Sequence, residues 1–266
     1  MQRVTKVLMC RPTHFDVDYV INPHMVPHSI NRKRAMDQWE ALVAAIESLG
    51  IKAEVIDQKP DVPDMVFATD QGIVKGGRAL LANFRYPERK RETRYYRQWF
   101  EDNGYELYEL TKLFSFEGGD ALFAGDVMFV GTGFRANVAS CEELSHTLNT
   151  DVVPLRLVDP KFYHLDMCFL PLDDETAFYY PPAFSDSSQA RLQKLIPDLH
   201  ELSEGEASGY GANSFVTGST IVTQSGNPSL KRKFKKLGRD VVEVDLSEFK
   251  KAGGGIHCLI NTLEKK

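Results

Sequence analysis

The chain has 266 residues, 42% of them hydrophobic and 26% charged. That length admits one large domain or two small ones, and a core that needs no staple of disulfides or metal. Lys+Arg 32 against Asp+Glu 37 leaves a formal charge of −5. This argues against a general nucleic-acid binder, and the composition argues against disorder.

The longest uncharged run, 207–230, is rich in Ser, Thr, Gly and Asn, so no membrane-spanning segment is expected. The opening MQRVTKVLMCR has no apolar stretch ahead of its charges and does not read as a signal peptide. The four cysteines, Cys10, Cys141, Cys168 and Cys258, form no CxxC pair. They suit a reducing, cytoplasmic setting, in which each is a core residue or a reactive thiol.

In chain order, VTKVLMC (4–10) reads as a strand. A helix follows over 31–49, with Met36, Trp39, Leu42, Val43, Ile46 and Leu49 on one face and Gly50 as its stop. AEVI (53–56) is the next strand. The pairs GIVKG and RALLA (72–82), DALFA and VMFVG (120–131), and DMCFLPL and TAFYY (166–180) read as hairpins. NSFVTGSTIVT (213–223) is a weaker fourth. Helices are expected over 88–103, 137–148, after Ser185 and near Asn227. Strands follow at 105–110, 152–158 and 241–244. The basic clusters ERKRETR (88–94) and KRKFKK (231–236) read as solvated helix faces.

The unit strand–strand–helix–strand thus recurs four times at roughly 45-residue spacing. The ends make a fifth copy if IHCLI (256–260) pairs with 4–10. This predicts an α/β fold, one domain over 1–266, its five repeats closed into a ring by the terminal strands.

In such a ring, equivalent positions converge on one axis. Asp70 precedes the first strand of one copy, Glu117 and Asp120 that of the next, then His164 and Asp166, then Asn213. Cys258 lies in the fifth copy after Gly253, Gly254 and Gly255, which let backbone pass close to a ligand. A thiol, an imidazole and several carboxylates suit nucleophilic catalysis on a planar cation held by fork-like hydrogen bonds. Asp120 also reads as a turn residue satisfying backbone N–H groups. His257 would point to the opposite face of the Cys258 strand and reads as structural. His24 and His28 have metal-pair spacing, but Pro23 and Pro27 spoil the helix, so no metal or other cofactor is expected.

FATD (67–70), FEGGD (116–120), GTGFRAN (131–137), FYHLD (162–166), AN (212–213) and GGGIHC (253–258) together resemble the guanidine-modifying enzymes of the pentein superfamily. The resemblance covers nearly the whole chain. It implies a five-bladed α/β propeller and hydrolysis of the guanidino group of arginine or a close analogue to a citrulline-type product. It implies Cys258 as nucleophile, His164 as acid and base, and Glu117 as the partner that orients the histidine. Asp70 and Asp166 would grip the guanidinium, with Asp120 and Asn213 also at the site. Arg85 and Arg135 would hold a substrate carboxylate. The opening MCRPTHFDVDYVINPHM (9–25) is similar to that of arginine dihydrolases, whose Asn at the position of Asn22 contacts the substrate's amino-acid end. Those dihydrolases carry Asn where this chain has Asp70. Asp there resembles deiminases and amidinotransferases instead, and puts a second hydrolysis in doubt. Dimethylarginine hydrolases tend to have Lys at the position of Asp166.

Arginine dihydrolase, amidinotransferase and dimethylarginine hydrolase are therefore the alternatives. A small-molecule substrate is expected, with no nucleic-acid or membrane partner; a homo-oligomer is compatible with the sequence. A rival of another class is dinucleotide binding through the GTGFRA fingerprint at Gly131 and Gly133, with Asp159 ending the next strand.

Overall fold

The computed structural model describes residues 3–111 and 113–266. Its elements are β1 (Val4–Arg11), α1 (Arg32–Ser48) and β2 (Lys52–Asp57); then β3 (Gly72–Lys75), β4 (Arg78–Leu81), α2 (Pro87–Lys90), α3 (Thr93–Asp102) and β5 (Glu106–Glu109). Next come β6 (Ala121–Ala124), β7 (Val127–Thr132), α4 (Ser140–Leu148) and β8 (Asp151–Arg156). β9 (Phe169–Pro171), β10 (Thr176–Tyr179), α5 (Asp186–Leu195), β11 (Asp198–Glu201) and α6 (Glu204–Ser208) follow. The chain ends with β12 (Phe215–Thr217), β13 (Thr220–Gln224), α7 (Pro228–Lys236), β14 (Asp240–Val244), α8 (Ser247–Lys250) and β15 (Asn261–Lys265).

The strands form five sheets of three: β15-β1-β2, β3-β4-β5, β6-β7-β8, β9-β10-β11 and β12-β13-β14. In each, the middle strand is antiparallel to one neighbour and parallel to the other. A parallel return needs a crossover, and helices supply it. Lys75 pairs with Arg78 across Gly76 and Gly77, whose φ values are 59° and 78°. Two consecutive positive φ angles make the tight turn whose twist suits a hairpin, and glycine adopts them without strain.

Two expectations change. The helix expected over 88–103 comes as α2 and α3, because Arg89 and Glu92 turn into the interior. The C-terminal strand begins at Asn261 rather than Ile256; Leu8 pairs with Asn261 and Val4 with Lys265. Residues His257–Leu259 form a 3₁₀ turn instead. This terminal sheet is tied to the next one by side chains. Asn261 Nδ2 donates to the carbonyls of Ala68 (3.0 Å) and Gly72 (3.1 Å). Thr69 Oγ1 donates to the carbonyls of His257 (2.7 Å) and Ile260 (2.5 Å).

Trp39, Leu42 and Ile46 of α1 are buried in one cluster with Val7 and Met9 of β1, Phe249 of α8, and Cys258. No described helix is long and apolar enough to cross a membrane. Truncation of the fully packed Trp39 removes apolar contacts and leaves a cavity. Trp39→Ala should cost about 3–5 kcal/mol of unfolding free energy in urea melts.

Candidate active site

The site is built from the turns that precede the first strand of each hairpin. Short 3₁₀ turns Ala68–Gln71, Gly118–Asp120, Leu165–Met167 and His257–Leu259 lead into β3, β6, β9 and β15. They pack on one another, which gathers Asp70, Glu117, Asp120, His164, Asp166 and Cys258 although these lie far apart in sequence. All six are at most 3% exposed. Glycine permits the approach: a Cβ on Gly119 would lie 2.7 Å from Asp70 Oδ1 and 2.8 Å from His164 Nδ1. A Cβ on Gly254 would lie 2.1 Å from the Phe67 ring. The glycines before Cys258 thus admit the protein's own side chains, a closer constraint than the ligand approach expected of them.

His164 Nε2 lies 2.9 Å from Glu117 Oε2, and its Nδ1 lies 3.5 Å from Asp70 Oδ1. Burial disfavours the imidazolium, but Asp70, Asp120 and Glu117 outweigh it and raise the His164 pKa to about 9. Burial likewise opposes the Glu117 carboxylate. Arg135 and His164 reverse this and hold it well below the usual range. Cys258 Sγ accepts from Asn213 Nδ2 at 3.1 Å and donates to Asp166 Oδ2 at 3.5 Å. Burial pushes this thiol well above its ordinary pKa, and Asp166 and Asp70 push it further.

Other expected residues are placed as follows. Asn213 is a bracket on the nucleophile turn: besides its contact with the sulfur, its Oδ1 accepts from the N–H of His257 at 3.0 Å and of Cys258 at 3.4 Å. Asn22 donates to the carbonyl of Ala252 (3.1 Å) and accepts from the N–H of His24 (2.9 Å). Arg135 is buried between the rings of Tyr86 and Tyr163, with Nη1 on Glu117 Oε2 (3.0 Å) and Nη2 on the Ile21 carbonyl (3.1 Å). Arg85 is exposed, and only its backbone N–H reaches the site, on Glu117 Oε1 at 3.3 Å. Asp120 accepts no hydrogen bond through either oxygen among the described residues, which removes the turn-residue reading. Burial raises its pKa well above the usual value.

Three residues are additions. Arg89, expected on a solvated face, is 3% exposed. Its Nη1 lies 2.6 Å from Asp70 Oδ2, and Nε and Nη2 fork onto Glu92 at 3.0 and 2.9 Å. Glu92 is therefore the second addition. The third is His257, whose Nδ1 lies 3.0 Å from Asp166 Oδ2. The 3₁₀ turn, unlike the expected strand, lets His257 and Cys258 both bear on Asp166. The local sequence held one signal for this: Ile256, Leu259 and Ile260 are apolar at helical rather than alternating spacing. For Arg89 and Glu92 the only signal was an Arg and a Glu three apart inside a charged run.

Donor atoms of Asp70, Glu117 and His164 lie within 4.8 Å of one another, as do those of Asp16, Asp18 and His28. In the first group Arg89 and Arg135 already hold the acids, and in the second Arg32 holds Asp16. The dinucleotide reading fails on geometry. Gly131 lies inside β7, and no helix opens at Gly133, since α4 begins at Ser140.

The sequence model of the family described as N,N dimethylarginine dimethylhydrolase, eukaryotic, matches residues 13–265. The chain belongs to this family. Within it and around it, the chain is 40% identical to the bifunctional arginine dihydrolase/ornithine cyclodeaminase ArgZ of Synechocystis, over 96% of this chain and 37% of that protein. It thus spans little more than a third of that relative. It is 36% identical to an N(G),N(G)-dimethylarginine dimethylaminohydrolase of Mycobacterium tuberculosis, over 96% of this chain and 85% of that one. The crystal structure of a single-residue variant of the N-terminal domain of ArgZ, covalently bonded to a reaction intermediate, superposes with a TM-score of 0.95 at 38% identity, covering 97% of each chain.

The carboxylates around His164 favour its charged form in a fully buried site. This has a measurable cost at high pH. The folded His164 value lies above the ordinary 6.5, so its stabilisation is fully present below about pH 6.5 and is lost as pH rises through about 9. The shift corresponds to roughly 3 kcal/mol. Urea melts should show wild type losing up to that amount between these pH values, and His164→Gln losing much less.

Proposed function

We propose that this chain is a single catalytic domain, its five sheets arranged as a closed five-bladed propeller, that hydrolyses a C–N bond of a guanidino group. Arginine or a close analogue is the substrate class. The observation that carries this is two buried carboxylate oxygens that make no hydrogen bond. Asp70 Oδ1 and Asp166 Oδ1 are buried without a hydrogen-bond partner among the described residues, one beside His164 and one beside Cys258. Buried ionised oxygens need a partner, and a planar cation with several N–H donors satisfies both at once.

The chemistry follows from the neighbours. Before substrate arrives, Asp166 and Asp70 hold Cys258 as a thiol. A docked guanidinium offsets both charges and allows the thiol to release its proton to solvent, where the ammonia expelled later takes it up as ammonium. The thiolate forms a bond to the guanidinium carbon, giving a tetrahedral adduct. His164, protonated at neutral pH, donates its proton to the departing amine, the C–N bond breaks, and a cationic thiouronium remains on the sulfur. The neutral imidazole then takes a proton from water, whose oxygen attacks the same carbon. The C–S bond breaks, the proton of the adduct's hydroxyl passes to the sulfur as the carbonyl forms, and a ureido product leaves. Glu117, held by Arg135, fixes the imidazole through Nε2. Asn213 steadies the sulfur. As the resemblance implies, the exposed Arg85 would meet a substrate carboxylate, with Asn22 near the amino-acid end and Asp120 behind His164.

A second reading, arginine dihydrolase with ornithine, CO₂ and two ammonia as products, is favoured by the likeness to ArgZ. Asp70 favours the single step. Amidinotransfer differs only in an amine replacing the water. Product analysis on arginine decides among them: one ammonia with citrulline is expected. Ornithine with two ammonia would establish the dihydrolase, and a new guanidino compound on adding glycine would establish the transferase. Cys258→Ser should lower turnover on the order of 10⁴-fold or more while arginine still binds by calorimetry. Substantial activity in that variant would remove the mechanism.

A further inference from the structure

Beside the site lies a cavity of about 150 Å³ lined by Thr69, Gly118, Ser214, His257, Asn261 and Lys265. His257 stands between this cavity and the nucleophile. Its side chain is 21% exposed, whereas that of Asp166 is 1% exposed. Its backbone is pinned at both ends, the N–H on Asn213 Oδ1 and the carbonyl under Thr69 Oγ1. Its ring meets Asp166 Oδ2, the same oxygen that faces Cys258 Sγ, and leaves Oδ1 unpaired. Facing a carboxylate, Nδ1 carries the hydrogen.

We propose that His257 is a positioning residue that acts on the nucleophile through Asp166. It fixes Oδ2 from the cavity side so that Oδ1 stays turned to the substrate. Its hydrogen bond to that oxygen draws on the Asp166 charge that opposes ionisation of Cys258. The proposal rests on the reading of Cys258 as nucleophile. Other charged groups nearby are engaged elsewhere. Asp70, Glu117 and Asp120 act on His164. Lys265, on the cavity wall, is the one other charged residue lining it among the described residues.

The test compares His257→Asn, which keeps a donor near Nδ1 but carries no charge, with His257→Leu, which keeps neither. Two quantities are measured: KM and kcat for arginine, and the rate of Cys258 alkylation by iodoacetamide against pH, with Cys258→Ser as the blank. Both variants should move the alkylation profile to higher pH, His257→Leu more than His257→Asn, because Asp166 then opposes the Cys258 thiolate with a weaker partner or none. His257→Leu should raise KM roughly tenfold, the scale of losing one hydrogen bond to a charged group, while His257→Asn stays within about threefold of wild type. Alkylation profiles of both variants that superimpose on wild type would overturn the proposal. If His257→Leu fails to fold by circular dichroism, the profile of His257→Asn decides alone. Turnover by Cys258→Ser is a different failure, that of the nucleophile itself, and is read directly from the blank.

Discussion

Everything in this molecule depends on keeping carboxylates dry. Asp64, Asp70, Glu92, Glu117, Asp120 and Asp166 are buried together, against the buried cations Arg89, Arg135 and His164. Removing an ion from water costs several kcal/mol even after relaxation, and each such group must be paired, protonated or offered to a ligand. All three outcomes occur here. Arg89 and Arg135 pair with Asp70, Glu92 and Glu117. Burial favours the neutral acid at Asp120, and pushes Asp64 to about 6 and Glu92 to about 7. Asp70 and Asp166 each have one oxygen that makes no hydrogen bond among the described residues, which the proposed mechanism assigns to the substrate.

The fold supplies the rigidity this needs. Each turn that carries a site residue runs straight into a sheet, and neighbouring turns are locked by side chains such as Asn261 and Thr69. The terminal strand pair holds Cys258 in register with the rest, since β15 begins three residues after it. The two interior arginines serve the acids rather than the solvent. Arg89 takes one oxygen of Asp70, so Asp70 presents the other. Arg135 keeps Glu117 ionised, and Glu117 in turn keeps His164 charged and oriented. A charged imidazole is the right state for donating a proton to a leaving amine, and the wrong state for activating water until that donation has occurred. In the mechanism proposed above, the order of steps follows from that charge.

Much of this was legible in the sequence. The hairpins announced themselves by paired short strands around Gly76-Gly77 and Gly125-Asp126, and the fivefold repetition placed Asp70, Glu117, His164, Asp166 and Cys258 at equivalent points. These signals are local, because a two-residue turn is specified by its own residues. Arg89 and Glu92 were hidden because Asp70, the distant partner of Arg89, and Gln71, that of Glu92, lie on another element, and a charged run normally faces water. His257 was hidden by a difference of period. In a strand it turns away from Asp166; in the 3₁₀ turn that forms, it shares an oxygen with Cys258. The resemblance implied that Arg135 holds a substrate carboxylate; in the structure it meets Glu117, a contact set by the loop at 133–139 rather than by any local pattern.

The covalent step is the point on which the rest turns. Arginine mixed with the enzyme, quenched in acid during turnover, digested and examined by mass spectrometry reports it directly. The peptide carrying Cys258 should gain the mass of arginine less one ammonia, with no gain in Cys258→Ser. Turnover with the Cys258 peptide unmodified at every quench time, or the same added mass on another residue, would refute it.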